Sequence, residues 1–183
     1  ITKDVLVYDQ NDAPTLGNGT LADIAEDTAS PPGDEVSDIF AGQFGDVDGG
    51  DTFAGIVIVS DATTTEGMWQ YSTDSGSNWF AVGSVNSTAG LTLEDTAMLR
   101  FVPAADYNGA IPTLTVHGLD STFSGSFTNG ATQEYDDVTT RGGTTPISDA
   151  SATISSNVTA VNDAPALDNS GDPTVTTITE DDI

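Results

Sequence analysis

The chain has 183 residues, 29 of them Asp or Glu against three Lys or Arg, for a formal net charge of −26. Nothing so negative can displace counterions from phosphates or settle on an anionic bilayer, so nucleic acid and membrane are excluded as partners. There is no Cys, which removes disulfides and thiol chemistry, and no apolar run approaches the ~18–20 residues of a membrane span.

The acids are unevenly chosen, 23 Asp against 6 Glu. Asp favours turns and strand ends, where its short carboxylate bends back on local backbone or meets a cation. Left unneutralised, such a density of carboxylates weakens the compact state by self-repulsion. Divalent cations are one remedy; a surface adapted to high salt is the other account of the charge. Hydrophobic residues make up 37% of the chain, sufficient for a core.

In chain order, Asp4 to Tyr8 alternates as a strand and leads into Asn11-Asp12-Ala13-Pro14. Leu21 to Ala25 reads as a short strand ending at Glu26-Asp27, and Ser30-Pro31-Pro32-Gly33 stops regular structure. Between Asp34 and Phe44, Val36, Ile39, Phe40 and Phe44 lie near helical spacing, which suits one helical turn over an end of the fold. Gly45 to Asp51 is a turn laden with carboxylates, followed by a strand over Thr52 to Ser60. Gly67–Thr73 and Asn78–Val82 read as a hairpin whose aromatics, Trp69, Tyr71, Trp79 and Phe80, suit core and cross-strand packing. Leu91–Leu93, Met98–Val102 and Ile111–Leu119 are further strands, with Arg100 and the single histidine, His117, expected at exposed positions. From Ser121 to Asp149 alternation gives way to Gly, Thr, Ser and Asp, the mark of a functional loop or a loosely packed extension that Phe123, Phe127 and Tyr135 could anchor as a hairpin. A last strand is expected over Ala152 to Val161, with Ile154, Val158 and Ala160 on one face. About seven short strands without a long helical pattern predict an all-β sandwich with Greek-key connections and an extended loop or hairpin before the last strand.

Asn11-Asp12-Ala13-Pro14 returns word for word at Asn162-Asp163-Ala164-Pro165, 151 residues on. Each copy follows an alternating segment and precedes an acidic pair, Glu26-Asp27 and Glu180-Asp181. A long exact period marks a tandem array. Residues 1–14 then read as the last strand of a preceding repeat with its linker, 15–165 as one whole repeat with its closing linker, and 166–183 as the start of the next.

Catalysis finds little here: no nucleophile motif surrounds His117, and among 29 acids the nearness of some pair means nothing. An enzyme is not expected. Metal binding has more support, since calcium takes six to eight hard oxygens and loop carboxylates at a domain end supply them. The clusters fall at predicted loop positions: Asp9, Asn11 and Asp12; Glu26 and Asp27; Asp46 and Asp48; Asp106; Asp120; and Asn162 with Asp163. In Asp46-Val47-Asp48 alternate residues of a tight turn can present two carboxylates to one ion, with Gly49-Gly50 allowing the bend. None of the clusters matches the twelve-residue helix-loop-helix calcium loop or a Gly-rich nonapeptide.

The order of these clusters resembles a cadherin-type repeat, in particular the bacterial cadherin-like repeats strung along large (RTX-type) surface adhesins. An acid ends the first strand (Glu26), an Asp-x-Asp turn (Asp46, Asp48) precedes the second, Asp106 precedes the penultimate strand, Asp120 ends it, and Asn162-Asp163-x-Pro165 closes the domain. The runs Gly67–Asp74 and Leu99–Gly109 are similar to the bacterial subfamily. The resemblance implies a cadherin-like, Ig-like β-sandwich in which Asp9, Asn11 and Asp12 share Ca2+ with Asp46, Asp48 and Asp120, and Asn162 and Asp163 share it with Glu26 and Asp106. Two departures stand out: Ala160 occupies the place of Asp9 in the second linker, and Asp106 stands alone where cadherins keep an acidic tripeptide. Fewer ions per joint are then expected than in animal cadherins.

The expected function is a calcium-stiffened structural spacer in a secreted bacterial adhesin, extracellular and at the cell surface, with neighbouring repeats of the same polypeptide as partners. Two alternatives remain open. One is a polysaccharide-binding module using Trp69, Tyr71, Trp79 and the Ser121–Asp149 loop. The other is the body of an extracellular filament in which identical chains pair by strand addition.

Overall fold

A computed structural model describes residues 10–60, 62–165 and 171. Asp9, the strand expected over Asp4–Tyr8 and the opening of a further repeat after Pro165 lie outside the described residues. The fold is nearly all β. Six strands have four residues or more, namely Phe53–Ile58, Gly67–Ser72, Gly90–Glu94, Met98–Pro103, Leu114–Asp120 and Ala152–Ser155; the remaining strands described have two or three.

Two main sheets face each other across a shared core. One has four antiparallel strands in the order Asp34–Glu35, Met98–Pro103, Gly67–Ser72 and Phe80–Ala81. The other has six, ordered Tyr135–Asp136, Gly90–Glu94, Phe53–Ile58, Leu114–Asp120, Ala152–Ser155 and Gly19–Thr20, with the last pair parallel. Alternation decides which side chains meet. From the smaller sheet Trp69, Tyr71, Leu99 and Phe101 point inward, and from the larger Ile56, Ile58, Leu91, Leu93, Leu114, Val116 and Ile154. Each such side chain contributes roughly 1.5–3 kcal/mol on burial. Trp69 stands opposite Phe101 and Tyr71 opposite Leu99. The polar tips of both buried aromatics are satisfied, the Trp69 indole donating to the Pro112 carbonyl at 3.1 Å and the Tyr71 hydroxyl to that of Gly130 at 2.9 Å.

The helical turn expected after Pro32 forms as Val36–Ile39, and Val36, Ile39 and Phe40 enter the core. The final strand breaks at Ser156. Ala152–Ser155 joins the six-stranded sheet and Asn157–Thr159 a separate three-stranded one, between Gly109–Ala110 and Ile24–Ala25. The first segment splits the same way, so Gly19–Thr20 and Ile24–Ala25 run parallel to the two halves. Pairing stops at Thr159, and Ala160, expected on the buried face, is exposed.

Three expectations need correction. Arg100 is only 8% exposed. Its Nε donates to Gln70 and its Nη1 to Ser30 and to the Pro31 carbonyl, while the guanidinium lies 4.0 Å over the Trp79 ring. It therefore pins the Ser30–Gly33 loop to the sheet. His117 is 3% exposed, because the segment from Ser121 to Asp149 is no loose extension. It folds over the outer face of the six-stranded sheet, where Val57, Leu119, Val138 and Ile147 form a second core flanked by Val59, Phe123 and Phe127. Beneath it the His117 Nδ1 meets the Ser148 carbonyl at 2.8 Å, and burial pushes the imidazole below its ordinary pKa.

Candidate metal centres at the two ends of the sandwich

The strand Leu114–Asp120 sets the geometry. Acids gather beyond the end it finishes on and again beyond the end it starts from, past the small three-stranded sheet.

At the first end, Asp120 is wholly buried. Its Oδ1 accepts from the Thr122 amide at 2.7 Å and hydroxyl at 2.6 Å, a local turn of the kind Asp makes with the residue two ahead. The same hydroxyl oxygen lies 2.9 Å from Asn11 Oδ1, and Asn11 Nδ2 reaches Asp120 Oδ2 at 3.4 Å and the Thr145 carbonyl at 3.3 Å. The Asp12 amide donates to Asp48 Oδ2 at 2.6 Å, and the Asp48 amide to Asp46 Oδ1 at 2.9 Å. The Ala13 amide is held by the Gly143 carbonyl at 2.8 Å. So the first linker is laid against the Asp-x-Asp turn on one side and the 121–149 segment on the other.

Asp46, Asp48 and Asp51 bring carboxylate oxygens within 4.8 Å of one another, all half-buried. Asp46 Oδ2 is buried with no hydrogen-bond partner among the described residues. A carboxylate oxygen so placed carries a desolvation cost that a cation removes. Beside it opens a groove of about 410 Å3 lined by Gln10, Asn11, Asp48, Gly49, Gly50, Asp51 and Thr122.

At the second end, Asp27, Asp106 and Asp163 bring their carboxylates within 4.8 Å, and all three are exposed. Asp27 and Asp106 hold positive φ, 64° and 58°. Asp tolerates this left-handed region better than most residues, though still at a cost of order 1 kcal/mol. Glu26 is buried, and both of its oxygens are engaged, Oε2 by the Val161 amide at 2.9 Å and Oε1 by Asn108 Nδ2 at 3.1 Å. Those bonds, the Val161 amide first, hold its carboxyl below the usual carboxylate range. Asp163 goes the other way. The negative charge of Asp27 chiefly, then burial, Glu26 and Asp106, push its carboxyl up.

The structure thus brings Asn11, Asp12, Asp46, Asp48 and Asp120 to one end, and Glu26, Asp27, Asp106 and Asp163 to the other. Among the described residues Asn162 makes only a local bond, Nδ2 to the Asp163 carbonyl at 3.1 Å, the same turn that Asn11 makes with the Asp12 carbonyl at 3.2 Å. The two linker copies share this local feature, but only the first Asn meets a carboxylate. Asp51, Thr122, Thr145, Asn108 and Gly143 were missed as site residues. Asp51 closes the Gly45–Asp51 turn, and Thr122 completes an Asp-x-Thr turn; both signals were in the sequence. The backbone carbonyls left none.

The aromatics considered for sugar stacking form no shared exposed face. Trp69 and Tyr71 are buried, and Trp79 is covered by Arg100. Among the described residues no helix is long and apolar enough to cross a membrane. No protein-family model, curated protein or solved structure matches this chain.

Proposed function

We propose that this chain is a calcium-binding structural spacer, one cadherin-like repeat of a tandem array in a secreted bacterial adhesin, stiffened by Ca2+ where one repeat meets the next. The observation that carries the reading is the buried, unpartnered Oδ2 of Asp46 within the cluster that the first linker completes. Hard carboxylate, amide and hydroxyl oxygens, without a sulfur or an imidazole nearby, fit calcium rather than a softer metal. Asn11, Asp46, Asp48, Asp51 and Asp120 would hold the ion at the first end; Asp27, Asp106 and Asp163 would hold one at the second together with acids of the following repeat. The cation supplies charge neutralisation between facing acidic ends, and Pro14 and Pro165 restrict the linker backbone that it bridges. A rod of such repeats would hold a binding tip away from a cell surface, with neighbouring repeats as its partners.

The test is thermal melting with calcium and with chelator. At calcium a hundredfold above Kd, one site adds about 2.7 kcal/mol, which raises Tm by roughly 5–10 °C for a domain of this size. Most of the gain should be lost in the Asp46→Ala, Asp48→Ala double variant. A melting curve indifferent to calcium, with stability rising only with bulk salt, would return the acids to salt adaptation. Small-angle scattering of a two-repeat protein checks the stiffening, since an unchanged maximum dimension on adding chelator would defeat it.

A further inference from the structure

Val47 is 79% exposed at the tip of the Asp46-Val47-Asp48 turn, the most exposed of the large apolar residues described. With Asp12, Ala13, Pro14 and Leu16 it lines an open groove of about 540 Å3 beside the first linker. At the other end of the sandwich a second groove, of about 270 Å3, is lined by Asp27, Thr28, Ala29, Pro103, Ala104 and Ala105. Neither has an occupant among the described residues. A singly exposed valine is ordinary by itself; its position relative to the linker is what matters.

The two linker copies show the two halves of one joint. The first shows what a linker does to the repeat after it, where the amide of Asp12 donates to Asp48 at 2.6 Å. The second shows what it does to the repeat before it, where the carboxylate of Asp163 lies within 4.8 Å of those of Asp27 and Asp106. Asp12 and Asp163 hold the same place in Asn-Asp-Ala-Pro. In a tandem array one Asp does both, with its amide on the following turn and its carboxylate among the preceding loops. A single residue then separates the Asp-x-Asp turn of one repeat from the Asp27 and Asp106 loops of the repeat before it. Asp27 itself lines the second groove, and Ala105 precedes Asp106.

From this we infer that Val47 of each repeat seats against the groove formed by Ala29 and Pro103–Ala105 of the repeat before it. The partner is a second copy of this fold, and the contact is an apolar one beside the acidic clusters. It rests on the tandem-repeat reading proposed above. An ion cancels charge from any direction, whereas a valine in a groove sets the rotation of one domain on the next. The apolar contact therefore fixes the orientation of the joint.

The chain has no Cys, so introduced thiols report the contact without background. The test uses two copies fused in tandem, residues 1–161 of the first running into residues 11–183 of the second, so that the second linker of the first copy is also the first linker of the second. Val47→Cys in the second copy is combined with Ala105→Cys or, separately, Ala29→Cys in the first; Val47→Cys with Tyr135→Cys is the control. Disulfides need Cβ atoms about 3.5–4.5 Å apart, so under mild oxidation with calcium at least one test pair should lose both free thiols while the control keeps them. Within one copy Val47 and Tyr135 do not line the second groove, and melting of each variant is followed alongside. If calcium raises the melting temperature and neither test pair outpaces the control, the contact is overturned and the calcium reading stands. Crosslinking without any calcium response supports the contact and removes the calcium reading. Absence of both overturns both.

Discussion

The two ends of the sandwich carry similar numbers of carboxylates and treat them differently. At the first end Asp120 is buried and triply tied through Thr122 and Asn11, and the Asp46, Asp48 and Asp51 group is half-buried. At the second, Asp27, Asp106 and Asp163 stand exposed, two of them on left-handed backbone. The difference follows from what each linker meets. The first lies on a turn and on the 121–149 segment, which together supply amides and hydroxyls that fix the acids in place. Among the described residues the second is held by the Val161 amide on Glu26, whose other oxygen Asn108 takes, and it sets Asp163 beside Asp27 and Asp106. Preorganisation, rather than the number of acids, separates the two ends.

The largest effect should come from Asp120→Asn set against Asp106→Asn. The first places an amide among donors that face a buried carboxylate, and is expected to cost about 1.5–3 kcal/mol even in chelator. The second changes an exposed group that tolerates positive φ in either form, and should stay within about 0.5 kcal/mol. Urea unfolding in chelator measures both; equal costs would erase the contrast between the ends. Next comes the calcium response itself. Asp46→Asn should weaken calcium binding at least about tenfold, removing some 1.4 kcal/mol of the calcium-dependent stability. Asp27→Asn should remove less, because Asp27, Asp106 and Asp163 are exposed whereas the Asp46, Asp48 and Asp51 group is half-buried. Calorimetric titration of the two variants decides it, and a larger loss from Asp27→Asn would reverse the ranking.

Much of the sandwich was legible in the chain. Alternation marked the longer strands, and the carboxylates fell at their ends because Asp is favoured where pairing stops. The two-residue strands were not legible, since so short a piece has no period. The 121–149 segment was misjudged for a physical reason. Its apolar residues, Phe123, Phe127, Val138 and Ile147, are too sparse to alternate, yet they need only cover a face that is already hydrophobic. The sign was on the covered strand: Ile56-Val57-Ile58-Val59 is apolar without a break, which signals burial on both faces. His117 and Leu119 sit outward on the neighbouring strand and gave the same hint. Arg100 was misplaced because alternation assigns a face and says nothing of what loops cover it. The grouping of Asn11, Asp12, Asp46, Asp48 and Asp120 could be anticipated from the order of acids along the chain; the amides and hydroxyls that position them depend on loop paths no pattern records.

The smallest effect is a test of electrostatics at the second end alone. Glu26 and Asp163 are neighbours there with opposite displacements, so their midpoints should move in opposite directions from their ordinary values. Glu26, held down by the Val161 amide and Asn108, should show a midpoint below 4.5 in chelator, and Asp163, held up chiefly by Asp27, a midpoint above 3.8. The signs for stability follow. Glu26 contributes stability that is present above its unfolded value and lost as pH falls through its lower folded one. Asp163 is the reverse, its ionised form being a cost that is relieved as pH falls through its raised folded value. The two therefore oppose each other, and the net pH dependence from this end should be shallow. Side-chain carboxyl NMR resolves them individually. Asp27→Asn should bring the Asp163 midpoint down while leaving Glu26 low, because the bonds to Glu26 do not involve Asp27. If both midpoints moved together, the acids of the second end would be one coupled group, and the division between a bonded Glu26 and a repelled Asp163 would fail.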